Sequence, residues 1–319
     1  MTTDVFYGAD CELRIGLMAD QDTDPTEWWS LPFISFTPAP QRDRIDRPKL
    51  GVARHNPLDP VKPIPGFLRL VGDLVVDGDA AHLPVYLFCL LGAPATTGAG
   101  PYTHVFSSGA VAPRYAALQL KVGADDIRVY RGLTLGAISL QVGAEQTRNF
   151  DIQLSLRGLS RDREAEWLDG DLEADPTESV IHRTVFRRGG TAAANTLDGS
   201  WSWDRQMAED AFLSTKAELS GLRPGGGLHT GQARFRAVGK SFDILEEDDT
   251  VSAFDFQMLG ATSGHEIRFE HPNALLAAPP LVISGPALIE RTFNWVGHQT
   301  ASVPASKITV INATSAYGA

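Results

Sequence analysis

The stretch RNFDIQLSLRG, residues 148–158, alternates almost without error. Phe150, Ile152, Leu154 and Leu156 are apolar, and Asp151, Gln153, Ser155 and Arg157 between them are polar. Successive side chains of a strand point to opposite faces, so the segment reads as a β-strand with one face on a core and the other toward water or a neighbour. The same period recurs in FLRLVGDLVV (67–76), YTHVF (102–106), AALQLKV (116–122) and IRVYRGLTLGAISLQVG (127–143). In the last of these the apolar set passes from Leu133 and Leu135 to Ile138, Leu140 and Val142. That change of parity at Gly136 predicts a bulge or kink.

One segment breaks the alternation. In AHLPVYLFCLLG (81–92), Leu83, Leu87, Leu90 and Leu91 follow helical spacing, Pro84 sits near the start and Gly92 at the stop. The pattern predicts a short helix. The second half of the chain then repeats the order. GQARFRAVGKSFDI (231–244) takes the place of GFLRLVGDLVVDG (66–78), and TVSAFDFQMLG (250–260) that of the helix. EIRFEHPNALLAAPPLVISG (266–285) matches 126–143, and IERTFNWVG (289–297) stands opposite the opening stretch. The expectation is a tandem duplication whose second copy lacks a counterpart of 93–125; a single large β-sandwich is the alternative. The domains expected are 1–160, a linker or inserted arm over 161–199, and a shorter second domain over 200–319.

A Pro-, Arg- and Asp-rich stretch at 37–66 follows the extended segment WWSLPFISF (28–36). It can form neither a continuous helix nor a central strand, which predicts a long loop or arm.

Candidate chemistry fails on spacing. Asp20, Asp22 and Asp24 open like a calcium loop, but Pro25 stands where the turn needs Gly and Leu31 where a bidentate Glu belongs. The run EEDD (246–249) reads as a solvated loop capping a following helix, with Asp249 or Thr250 as N-cap. PGGG (224–227) lacks the Lys-Ser/Thr of a phosphate cradle. The eight histidines show no H-x-x-x-H or H-x-H pairing, and no serine sits in a G-x-S-x-G elbow. Cys11 and Cys89 are too few and too isolated for a disulfide framework or zinc, and read as buried small apolar residues. No catalytic residue, cofactor or metal ligand is expected. No apolar run reaches the ~20 residues of a bilayer span, and the start of the chain lacks the pattern of an export signal, so a soluble, non-membrane protein is expected.

Net charge excludes one class of partner. At −11, with six lysines, the chain lacks the positive footprint that holds nucleic acid by counterion release.

The segments FYGADCELRIG, WWSLPFISF with LGVAR in the loop after it, GFLRLVGDLVVDGDAAHLPVYLFCLLG, GPYTHVF and YRGLTLGAISLQVGAEQTRNFDIQLSLRG together resemble the tail tube proteins of long-tailed, siphovirus-like bacteriophages, in their longer form. The resemblance covers residues 5–160 and, more weakly, 200–300. It implies a mainly β fold, here tandem β-sandwich domains each flanked by a short helix, with long loops. It implies rings that stack into a hollow tube and let double-stranded DNA pass without specific binding. An acidic, lysine-poor wall suits that passage. With a duplicated chain, a trimeric ring of pseudo-six-fold symmetry is expected rather than a hexamer. The implied partners are other copies of the chain, the tape measure, the distal tail protein and the terminator; the implied location is the virion tail, assembled in the host cytoplasm.

Arg42, Arg44, Arg47 and Arg54 are the expected inter-ring contacts in the long loop, and Glu164, Trp167, Arg187 and Arg188 those of an interdomain or intersubunit arm. Two other readings stand beside this one. A distal tail or terminator ring would use the same fold, and a carbohydrate-binding adhesion sandwich would use exposed aromatics, for which Trp201 and Trp203 are the candidates.

Overall fold

The computed structural model describes residues 10–45, 64–109, 112, 114–123, 126–143, 150–164, 166–173, 181–210, 219–236, 242, 247–277 and 290–317. The first half contains β1 (Cys11–Met18), β2 (Glu27–Ser30), β3 (Ser35–Phe36), β4 (Ala39–Ile45) and β5 (Ile64–Asp77), then α1 (Leu83–Leu91). It continues with β6 (Ala95–Thr97), β7 (Tyr102–Ser107), β8 (Tyr115–Val122), β9 (Asp126–Gly143) and β10 (Asp151–Gly158). After β10 come β11 (Ser160–Glu164), β12 (Asp171–Glu173), β13 (Ile181–Arg188), β14 (Thr191–Ala192) and β15 (Thr196–Asp204). The remainder holds β16 (Ala208–Asp210), β17 (Gly221–Arg223), β18 (Leu228–Arg236), β19 (Ser252–Gly260), β20 (Glu266–Ala277), β21 (Glu290–Gly297) and β22 (Lys307–Asn312).

The opening stretch folds as its alternation dictates. Ile152, Leu154 and Leu156 of β10 are buried, while Asp151 and Gln153 are exposed. Strand β9 is the hinge between sheets. Its first half pairs β8 and β11, and its second half pairs β10 and β15. The switch falls where the parity changes: Ser155 lies opposite Ala137 and Leu156 opposite Leu135, leaving Gly136 as the extra residue of a bulge. The sandwich interior is filled by one apolar cluster that draws on both halves, from Ile15, Leu118 and Leu133 to Leu154, Trp201 and Trp295. Helix α1 is buried from Leu83 to Leu90 and packs on β1, β7, β8 and β9, with Gly92 at φ 95 closing its end. A helix apolar on every side is stable only inside a core.

The two halves share a pairing order. In the first, the strands run β1, β8, β9, β10, β5. In the second they run β13, β19, β20, β21, β18.

Several expectations need correction. Residues 250–260 are not a helix but strand β19, because Phe254, Phe256 and Met258 are buried with period two. Among the described residues of this half the helical ones are Phe242 and Glu247, ahead of it, and Asp249 at φ 48 has the left-handed backbone of a helix end, not the extended backbone of an N-cap. Residues 39–45, expected within a loop, form β4, whose one pairing among the described residues is with β5. An edge position tolerates Pro40 in a strand. Residues 161–199, expected to be a linker or arm, supply strands: β11 joins β9, β12 runs parallel to β2, and β13 joins β19 with Phe186 buried. Ile181 and Phe186 are both buried, five positions apart, because the register shifts between Ile181 and Arg183, and their burial favours the sheet over the solvent there. Finally, Cys89 is buried as expected, but Cys11 only partly so.

Candidate assembly surfaces

Strands β5, β10, β9, β15, β18, β21 and β20 form one continuous sheet whose inner face is the core. Register carries a single row of side chains across the other face: Val75, Gln153, Ser139, Ser202, Thr230, Val296 and Leu275. Flanking positions on the same face are Gln141, Ser200, Gln232 and Asn294. Small uncharged polar groups therefore dominate it, and no lysine is among these residues. Charges sit at its margins: Arg157 follows Ser155 on this face, and two further arginines are matched. Arg234 pairs with Asp198 and with Glu290 (3.2 Å), and Arg236 pairs with Glu290 at 3.0 Å. Ser155 Oγ donates to Asp73 at 2.6 Å. Such a face offers hydration and little net positive field.

A second surface projects from the sheet edge. Pairing of β10 with β5 stops at Leu70, whereas β4 continues along β5 to Ile64. Residues 64–69 thus form a two-stranded ribbon with β4, roughly 20 Å long at ~3.3 Å per residue. Its base is packed by Phe67 against Leu159, Leu219 and Leu222, and Arg69 pairs with Glu209 at 3.5 Å. Arg42 and Arg44 lie exposed on this ribbon; Arg47 and Arg54 lie outside the described residues.

The remaining candidates have partners within the chain. Glu164 lies 3.8 Å from Arg131, which also binds Asp24 and Asp162, each at 2.6 Å. The Trp167 ring lies under the Arg14 guanidinium, 4.0 Å from its centroid. Arg187 binds the buried Asp255 at 2.8 Å and Gln257 at 3.0 Å. Burial pushes the Asp255 carboxyl up, and Arg187 opposes that shift. Arg188 covers the Phe242 ring at 5.0 Å.

Trp201 and Trp203 are buried, so they present no sugar-binding face. Asp20 accepts the backbone N–H groups of Asp22 and Thr23 in a local turn. No cluster of three His, Cys, Asp or Glu able to hold a metal occurs among the described residues, and no described helix is long and apolar enough to cross a membrane.

Sequence spacing missed a buried polar group. His229 Nδ1 and Ser306 Oγ lie 2.7 Å apart, Trp295 Nε1 donates to His271 Nδ1 at 2.9 Å, and the two histidine rings meet at 6.3 Å. These residues come from β18, β20, β21 and the residue just before β22, and only strand pairing brings them together.

The match to known families agrees with this architecture. Residues 8–297 match the family described as phage tail tube protein. No curated protein matches the sequence.

Proposed function

The chain belongs to the phage tail tube protein family, and from that membership we propose that its copies close into rings that stack into a hollow tube conducting viral double-stranded DNA. The role is structural, in the virion tail. The polar face of the seven-stranded sheet lines the lumen, and that face is the observation that carries the reading. Side chains of Ser, Thr, Gln and Asn keep water on the wall, while the absence of lysine from it denies the DNA a place to release counterions. The β4–β5 ribbon reaches the neighbouring ring, with Arg42 and Arg44 meeting acidic groups there. The tape measure, distal tail and terminator proteins are the expected partners, and assembly takes place in the host cytoplasm.

The second half is read as a duplicate of the first, which makes the ring a trimer with pseudo-six-fold symmetry. The shared pairing order of the two halves supports this. In the second half β15 precedes and pairs β18, as β3 and β4 precede and pair β5. Within the chain β15 also bridges to β9. By the same relation, β3 and β4 bridge to β20 of the next chain, the counterpart of β9. Heterologous seams of one kind then alternate within and between chains until the ring closes.

Electron microscopy of the assembled chain, with mass per ring, tests this. Hollow stacked rings of three chains are expected; six chains per ring would defeat the duplication. Placing lysine at Ser202 and Gln153 is expected to leave the tube intact but make it retain DNA at low salt. Tubes that still ignore DNA would remove the sheet face from the lumen.

A further inference from the structure

Arg205 is a cation with no counter-charge among the described residues. It follows β15, and its backbone is pinned on three sides. Its N–H donates to Gly136 O at 2.8 Å, its carbonyl accepts from Gly225 N at 3.0 Å, and the next residue, Gln206, holds φ 44 with its N–H on Asp204 Oδ1 at 2.7 Å. The inward parity of Trp201 and Trp203 continues to this position, so the side chain turns inside and is only 5% exposed. Its one polar contact among the described residues is Nη1 to Leu135 O at 3.5 Å, the outer limit of a hydrogen bond. Burial pushes the guanidinium down from its ordinary value, as expected where no carboxylate stands beside it. A guanidinium carries five donors, and buried charges are ordinarily paired.

The space in front of Arg205 suits the missing partner. A cavity of about 480 Å³ opens there at the strand ends, walled by Trp203, His229, His298, Gln299 and the glycine turn 225–227. No Asp or Glu among the described residues lines it, in a chain with 39 acidic against 28 basic side chains. His298 Nδ1 is buried and has no hydrogen-bond partner among the described residues. The Gly227 backbone lies over His229 so closely that a Cβ would meet Nε2 at 2.6 Å, which keeps the turn low and the cavity open.

We propose that this cavity is an oxyanion site that takes a phosphate or carboxylate group, with Arg205 as the principal donor and His298 as a second. The anion is either a free small ion or an acidic side chain of a second copy. The second source is within reach because the cavity lies at the end of the sheet from which the ribbon projects, as the Arg69–Glu209 pair near it indicates. That source rests on the ring-stacking reading; the site itself does not.

Calorimetric titration of the full chain with inorganic phosphate, at constant ionic strength against chloride, tests the site. Saturable binding is expected, weakened at least about tenfold in Arg205→Met, since charge-assisted hydrogen bonds are lost. Arg205→Lys keeps the charge without the fork and serves if the Met variant does not fold; His298→Ala is expected to weaken binding by about threefold. A response that does not saturate, or is the same in the wild type and the Arg205 variants, overturns the site. Tube growth in the same phosphate series separates the sources. Inhibition of the wild type alone, with Arg205→Met unaffected, assigns the natural occupant to a second copy, and binding without inhibition assigns it to a small ion.

Discussion

The indole N–H of Trp295 donates to Nδ1 of His271 at 2.9 Å in the sandwich interior, and His271 is fully buried. The hydrogen bond needs Nδ1 as an acceptor, so the ring is neutral with its proton on Nε2. The Trp201 ring stacks on the imidazole at 5.1 Å. Burial, with His229 nearby, pushes the His271 pKa down to about 3.

Stability should therefore fall on acidification. The unfolded chain takes up a proton near pH 6.5 and the native state near 3, so between these values the unfolded state binds more protons. The loss reaches about 1.4 kcal/mol per pH unit for this one group. His104 and His229, also lowered by burial, act in the same direction. Urea denaturation between pH 4 and 7 should show a shallower slope for His271→Gln than for wild type. Equal slopes would sink the assignment.

The two faces of β10 should respond differently to truncation. Leu154→Ala opens a cavity in the core and should cost about 2–5 kcal/mol. Gln153→Ala, one residue away on the polar face, should stay within about 0.5 kcal/mol. Denaturant midpoints of the two variants give the comparison, and similar losses would mean that the polar face is itself packed in the unassembled chain.

Arg187 should matter to the single chain. Its removal leaves Asp255, whose side chain is 3% exposed, with Arg268 at 4.0 Å as its remaining counter-charge among the described residues. Arg187→Ala is expected to cost about 3–5 kcal/mol, because a buried carboxylate loses its partner. If thermal unfolding were unchanged and assembly failed instead, the residue would belong to an interchain contact.

The ribbon arginines should show the opposite pattern. Arg42→Ser with Arg44→Ser changes exposed groups, so the folded chain should keep its stability within about 0.5 kcal/mol. Ring stacking, followed by light scattering and microscopy, should slow and become less sensitive to salt. Unaltered growth would show that these two side chains are only solvated.

Local patterns in the sequence were sufficient for the strands of the first half. Period two placed Ile152, Leu154 and Leu156 on one face of β10, and the change of parity located the bulge at Gly136, because both follow from which way successive side chains point. Helix α1 was legible from its spacing, its Pro and its Gly. The same signals failed at 250–260, where the apolar residues Phe254, Phe256 and Met258 follow a period of two but the segment had been matched to a helix by order alone. Edge strand β4 was hidden by Pro40 and its charges, since a ribbon strand need not alternate when neither face is buried.

The sequence by itself determined the class of protein: an acidic, lysine-poor, mainly β chain with a short helix at 83–91 in its first half. Tertiary structure alone decided which residues meet. The polar row from Val75 to Leu275 depends on the register of seven strands, the His229–His271 pair on β21 passing between β18 and β20, and the Arg205 cavity on strand ends drawn from three separate elements. Such pairings join residues far apart in the chain, and no local periodicity encodes them. They arise only when burying the common core selects one register among many.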